Sequence, residues 1–311
     1  MKNQSLRFKI FVSCTVAAAI TLAILSAAER AAKIKLGGRN ISPDYVRFMS
    51  YGYEFETVST KKNYLITVTD GGKPARIHIF TVDCDKNTLD ILELPPDSYI
   101  FADGFIGTLS EAFETSVYRQ LVSAALCLRI DGEADFDAKT FGDCAELLKA
   151  ETESKNKKRE VKSVYGERIS KKGGSYSSGD EDCVLEYRRL LASMLEKICE
   201  KGAVESFSLL LNLIVNRVDT NMTIEDIAEA ADGAVGIKPE NIFIRLACGR
   251  PADFSGKRIW ALDPEKTAEL LNQHFRVKDT EYPAESLGIP DISAGKIFYK
   301  NLPERAADII D

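Results

Sequence analysis

Apolar and polar positions change period several times along this chain, and the changes mark its elements. Tyr64 to Val68, Ile77 to Val82 and Leu89 to Leu94 are short β-rich runs bounded by turn residues. Gly71-Gly72 separates the first two and Asp83 to Asn87 the last two, which predicts a hairpin extended by a third strand. Ser110 to Leu128 then sets Ala112, Phe113, Val117, Leu121, Ala124, Ala125 and Leu128 at helical spacing. Phe141 to Leu148 predicts a further short helix. From Asp182 the period is helical again, with Leu191, Met194, Leu195 and Ile198 at core spacing. Phe207 to Val218 is apolar on nearly every side, the pattern of a buried core helix or of a lipid-lining one. Thr223 to Ala231 reads as a helix with a capping box at Thr223 and Asp226. Ile242 to Ala247 and Arg258 to Leu262 read as strands, and Asp263-Pro264 opens a helix through His274. Strands and helices alternate along one body, so the class is α/β or α+β with helices covering a sheet.

The amino-terminal stretch adds a membrane to the picture. Ile10 to Ala28 runs nineteen residues without a charge, behind a short polar head carrying Lys2, Arg7 and Lys9. As a helix it is roughly 28 Å long, close to the hydrocarbon thickness of a bilayer. That length favours a single-pass anchor, while Ser26 and Ala28 leave a cleaved signal peptide as the alternative. Cations on both sides, including Arg30, Lys33, Lys35 and Arg39, leave the orientation open. The expected organisation is a cytoplasmic tail over 1–9, an anchor over 10–28, a stalk over 29–62, a folded domain over 63–275 and a carboxy-terminal extension over 276–311.

Composition removes several classes of chemistry. Lys and Arg number 41 against 47 Asp and Glu, giving a net charge of −6, so the chain lacks the basic excess of a dedicated nucleic-acid binder. Its two histidines, His78 and His274, lie far apart, which excludes a histidine-rich metal centre. The seven cysteines include no CxxC, so a zinc-thiolate site fails. No GxSxG, GxxxxGK[ST] or GxGxxG is present, which leaves hydrolase, P-loop and Rossmann readings without a start. One segment stands out in charge: Glu151 to Gly179 carries Lys155, Lys157, Lys158, Arg159, Lys162, Arg168, Lys171 and Lys172 and ends in Gly-Gly-Ser-Tyr-Ser-Ser-Gly. It reads as a long basic loop, with one strand near Val161 to Tyr165.

The order of these elements resembles that of the LytR-CpsA-Psr family of cell-envelope proteins. The stretch from Ile91 to Ile100, reading Ile-Leu-Glu-Leu-Pro-Pro-Asp-Ser-Tyr-Ile, is similar to the family's "SIPRDTY" element, and Thr108 to Phe113 to the helix opening that follows it. Asp182 to Arg189 resembles "DFGRIxRQ", Thr220 to Ala228 resembles "TNLSxxDxxxLA", and Ile259 to Asp263 resembles the closing strand-to-helix element. The likeness runs over about residues 60 to 275. It implies a three-layer α/β/α domain with a central mixed sheet behind one transmembrane helix. It also implies a phosphotransferase outside the membrane, moving a glycopolymer from a polyprenyl-pyrophosphate carrier to peptidoglycan with the help of Mg²⁺, and no nucleic-acid partner.

Carried over residue by residue, the resemblance assigns Asp97 as the metal or catalytic acid and Arg188 as the catalytic, phosphate-gripping arginine. Arg189 and the loop cations Arg168, Lys171 and Lys172 are its further phosphate-binding candidates. The chain departs from the pattern elsewhere: the arginine of the "PRD" element is Pro96, the earlier metal acid falls on Ala75, and the "DFGR" arginine is Leu185. The expectation is therefore a transferase-like domain with a degraded centre, or a non-catalytic member that holds lipid carrier, wall polymer or an active paralogue. Bland readings stand beside these. Asp97 suits a turn after Pro-Pro, Arg76 a solvent charge at a strand end, Arg189 a surface, and Tyr99 and Trp260 a core.

Overall fold

The computed structural model describes residues 47–50, 53–56, 61–148, 181–199, 210, 213–254, 256–277, 281–292 and 304–310. All fall in one compact unit, Asp44–Asp311. The apolar stretch 10–28, the expected strand near Val161 to Tyr165, the loop cations Arg168, Lys171 and Lys172, and most of the apolar run from Phe207 lie outside the described residues.

The predicted three-strand pattern forms the middle of the sheet. Strands β3 (Lys61–Asp70), β4 (Lys73–Asp83) and β5 (Thr88–Leu94) run antiparallel to one another. Gly71 and Gly72 have φ values of 56° and 79°, the left-handed pair that a two-residue hairpin requires. To this meander β8 (Gly132–Asp137) adds parallel to β3, and β10 (Ile242–Leu246) adds parallel to β5. The two-residue β9 (Asp219–Thr220) closes one edge, giving the order β10-β5-β4-β3-β8-β9. The sheet is mixed, and its strands β3, β5, β8 and β10 all point the same way.

Side chains alternate across this sheet into two cores. Leu65, Ile77, Ile79, Leu92 and Leu94 face one side, where α2 (Tyr118–Leu126) and α6 (Pro264–Leu270) cover them. Val68, Val82, Leu89 and Ile91 face the other, under α3 (Ala138–Leu147), α4 (Glu181–Cys199) and α7 (Ala306–Ile310). The result is helix, sheet, helix. Local chemistry sets the helix starts: Asp137 accepts from the Thr140 amide to cap α3, and Asp263 from the Lys266 amide to cap α6. The capping box expected at Thr223 and Asp226 is present and opens α5 (Ile224–Ala234).

Several expectations need correction. The single helix predicted from Ser110 to Leu128 is two: α1 (Leu109–Phe113) and α2. Thr115 donates its hydroxyl to the Ala112 carbonyl at 2.7 Å and ends the first, and Cys127, at φ 45°, ends the second. Two hairpins were not visible as strands, β6–β7 (Tyr99–Ala102 and Phe105–Thr108) and β11–β12 (Gly249–Phe254 and Lys257–Leu262), of which only the last strand was expected. Inside the expected stalk, β1 (Arg47–Ser50) and β2 (Tyr53–Glu56) pair as a hairpin. The carboxy-terminal extension contributes to both cores, with Tyr282, Leu287 and Ile289 on one side and Ala306 and Ile309 on the other. Gly288 locks this segment in place: its amide donates to Ala125 and its carbonyl accepts from the Phe101 amide. Among the described residues no helix is long and apolar enough to cross a membrane.

Candidate functional site

The chemistry-bearing residues gather where the four parallel strands end. In open α/β sheets this carboxyl edge is the usual place for a ligand. Here β5 runs into the turn Pro95-Pro96-Asp97-Ser98, closed by the Ser98 amide donating to the Pro95 carbonyl at 2.8 Å. Pro96 sits where such a turn wants a fixed φ. Its carbonyl and that of Ser98 accept from the Ser110 and Leu109 amides, so the turn caps the start of α1. Asp97 is the third residue of this turn. Its carboxylate is half-buried, and its carbonyl accepts from the Trp260 amide at 2.9 Å. The structure thus gives Asp97 a turn position beside a buried Trp260.

Arg188 lies one layer deeper. On α4 the sequence Tyr187-Arg188-Arg189 turns its first two side chains toward the sheet and leaves Arg189 exposed on the outer face. Arg188 Nε donates to Glu93 Oε2 at 2.6 Å, and its Nη2 faces the same oxygen. Both side chains are only 1% exposed. Glu93 is the cross-strand neighbour of His78, whose Nε2 is 4.0 Å from the other carboxylate oxygen. Arg76 occupies the next inward position on β4. It is buried and lies 5.0 Å from the centre of the Tyr187 ring, so the solvent charge expected there is instead part of the interior. Tyr187 in turn stacks between His78, at 5.5 Å, and Phe141, at 5.9 Å. The candidate site is thus a layer of two arginines, one carboxylate, one imidazole and one phenol, sealed between sheet and α4.

Burial decides the protonation of this layer. Desolvation holds His78 well below the ordinary imidazole value, at about 4; Glu93 pulls upward, while Arg76 and Arg188 reinforce the depression. His78 is therefore neutral at physiological pH. Sequence patterning missed Glu93, His78 and Tyr187, and read Arg76 as a strand-end charge. One signal was available: Glu93 is the charged residue near the end of the otherwise apolar Ile91 to Leu94 run, on the strand face it shares with Leu89 and Ile91.

On the opposite face, Asp135 is a perturbed acid. Desolvation lifts its carboxyl to about 6, with Glu133 and Asp219 adding to the rise and a hydrogen bond to Thr67 opposing it. Away from this edge a separate polar group forms: Arg245 donates to Asp90 at 3.2 Å, His274 lies 3.6 Å from the same carboxylate, and Lys61 donates to the His274 carbonyl at 2.8 Å.

The fold is similar to that of several solved structures. TagT bound to LIIa-WTA matches at a TM-score of 0.56 over 73% of this chain and 94% of its own, at 14% identity. TagV of B. subtilis matches at 0.53, over 70% and 97%, at 13% identity. Lin1025 of Listeria innocua matches at 0.54, over 74% and 99%, at 14% identity. TagT and TagV have the LytR-CpsA-Psr fold. This chain has the LytR-CpsA-Psr fold. No sequence-family model and no curated protein sequence matches it, so the likeness is carried by the path of the backbone.

On the LytR-CpsA-Psr fold, the residues present can be tested against the magnesium ion that the resemblance implies. Asp97 remains, Ala75 stands at the second acidic position, and no group of three His, Cys, Asp or Glu side chains able to hold a metal occurs among the described residues. The described residues do not fit a multi-carboxylate magnesium site. Among the described cysteines, burial raises Cys144 and Cys199 to about 11.

Proposed function

We propose that this chain is a membrane-anchored, extracytoplasmic protein of cell-envelope assembly that holds an anionic glycopolymer or its polyprenyl-pyrophosphate carrier without transferring it. The observation that carries this reading is the Glu93–Arg188 ion pair. In glycopolymer transfer, an acceptor hydroxyl attacks the phosphorus bonded to the sugar. The phosphorus–oxygen bond to the carrier breaks, and polyprenyl phosphate departs. Such a step is driven by positioning and by cations turned toward the phosphoryl oxygens. Here the fork of Arg188 is turned toward a protein carboxylate. Pro96, Ala75 and Leu185 stand where the resemblance expects an arginine, an acid and a second arginine. Loss of one positioned charge commonly costs ~10²–10³ in rate, so these departures together leave little standard turnover. Binding is less demanding than catalysis. Exposed Arg189 and the cations Arg168, Lys171 and Lys172 supply positive charge for a phosphate-rich polymer, and the 10–28 segment supplies the membrane attachment.

The half-buried Asp97 beside Trp260 favours a second reading, a divergent transferase in which Arg168, Lys171 and Lys172 replace the missing arginines. One experiment separates the two. The full chain in detergent micelles is given a short-chain polyprenyl-pyrophosphate saccharide and an acceptor, with Mg²⁺ or with chelator. Binding without release of polyprenyl phosphate is the expected result. Release that requires Mg²⁺ and is lost in Arg188→Ala would establish the transferase, and absence of binding would remove both readings.

A further inference from the structure

Strand β9 is two residues long, and its attachment to β8 sets a few good contacts against a poor one. The Thr220 hydroxyl donates to the Glu133 carbonyl at 2.6 Å, and the Glu133 amide donates to Asn221 Oδ1 at 2.9 Å. The Met222 side chain lies over Gly132: a Cβ added to that glycine would fall 2.5 Å from Met222 Cγ and 2.7 Å from its sulfur. Against these contacts stands the register. Asp135 of β8 is directly opposite Asp219 of β9. Glu133, two positions before Asp135, is on the same face of the strand, so three acids share one face of the sheet edge. Directly opposed like charges destabilise an antiparallel pair.

Nothing that faces Asp135 offsets this repulsion. Its neighbour on β3 is Thr67, a buried residue whose hydroxyl lies against the Asp135 carboxyl, with Tyr118 at the start of α2 beyond it. The charged groups that act on Asp135 among the described residues are Glu133, along β8, and Asp219, across on β9, both acids. Arg217, two residues before β9, is engaged instead by Asp143 of α3.

We propose that β9 is a proton-operated latch: with a proton on Asp135 the strand stays paired to β8, and loss of that proton lets Asp219 and Glu133 drive residues 219–222 off the sheet edge. Burial and the neighbouring acids lift the Asp135 carboxyl to about 6, above the ordinary carboxylate value near 3.9. The proton therefore stabilises the paired form in acid, and that contribution is lost as pH rises through about 6. The latch is closed in mild acid and loosened at neutral pH. Its release bares the backbone groups of β8, which then offer an open edge to another strand. The latch is three strands away from Glu93 in the sheet order, and it operates whether or not the proposed envelope role holds.

The test uses the full chain in detergent micelles and dilute hydrogen peroxide, which converts the methionine thioether to the sulfoxide. Met222 is half-buried while it lies on Gly132 and gains access to the oxidant when 219–222 leave. Met194 is buried in the core and reports opening of the whole fold. Oxidation at both positions is read by peptide mass spectrometry at about pH 5 and about pH 7.5, on either side of the changeover. A short methionine peptide in the same buffers corrects for the oxidant. Met222 should oxidise at least about threefold faster at the higher pH, with Met194 unchanged, as local opening requires. In Asp135→Asn, which keeps a neutral polar side chain there, Met222 should oxidise slowly at both pH values. Should Asp135→Asn fail to fold, Asp219→Asn on the exposed strand takes its place and should shrink the response. Equal corrected rates in the unsubstituted chain would overturn the proposal. So would a response that persists undiminished in the variant, or one in which Met194 rises together with Met222.

Discussion

Arg188 and Glu93 show how one pair of residues is held at opposite costs. Each charge alone would be insupportable at 1% exposure, and each is tolerated because the other is in contact. Arg188→Ala leaves the Glu93 carboxylate stranded and should destabilise the fold by about 3–5 kcal/mol. The double variant Glu93→Leu, Arg188→Met should regain most of that loss. Urea denaturation of the two variants checks the contrast, and equal losses would mean that the site collapses for want of volume rather than charge. His78 gives a second prediction with a definite sign. Its folded value of about 4 lies below the unfolded value near 6.5, so between those values the unfolded chain binds a proton that the folded chain refuses. The unsubstituted protein should therefore keep its full stability above about pH 6.5 and lose it as pH falls toward 4, relative to a His78→Gln variant. Below about pH 4 the difference should level off. A difference that does not change across this window would place a charged His78 beside Glu93.

Among the elements, the carboxy-terminal segment is the one whose role its sequence conceals. It carries no strong period, yet Gly288 is threaded between β6 and α2. A Cβ added there would fall 1.9 Å from the Phe101 carbonyl oxygen and 3.0 Å from the Ala125 Cα. Both obstacles are backbone, so neither can rotate away. Gly288→Ala should cost at least the ~1–3 kcal/mol typical of overpacking, read as a lower denaturation midpoint with an unchanged slope. The same reasoning explains why α1 and α2 are separate. Their apolar positions share a helical phase, but the turn at Thr115 gives backbone groups a competing partner that periodicity does not register. The β6–β7 and β11–β12 hairpins escaped for a related reason. Their strands are short, and the bridge that joins one hairpin to the other, between Ser98 and Trp260, links residues far apart in the chain.

At the scale of the whole molecule, two cores back a single sheet, and residues after 280 close both. Tyr282, Leu287 and Ile289 complete the layer under α2 and α6, and Ala306 and Ile309 complete the layer beside α4. A chain ending at residue 280 should therefore expose apolar surface on both faces of the sheet. Dye binding and aggregation at concentrations where the full chain stays dispersed would check this. A truncated chain with an unchanged melting temperature would show that the extension merely rests on the domain. The sheet also decides where the candidate residues meet. Four strands direct their carboxyl ends to one edge, and loops leaving that edge bring Asp97, Trp260 and the start of α1 together.

The sequence alone determined those features that depend on neighbours in the chain. The three central strands, the Thr223–Asp226 capping box and the α/β alternation follow from period, turn residues and side-chain chemistry within a few positions of each other. The family likeness was legible for the same reason, since its motifs are local. The contents of the site were not local. Arg188 reaches Glu93 across 95 residues, and no spacing rule connects a helix position with the end of a strand folded against it. Arg76 read as a solvent charge because nothing near it in sequence buries it. Tertiary structure alone placed it under α4 and made Glu93, rather than a bound phosphate, the partner of Arg188.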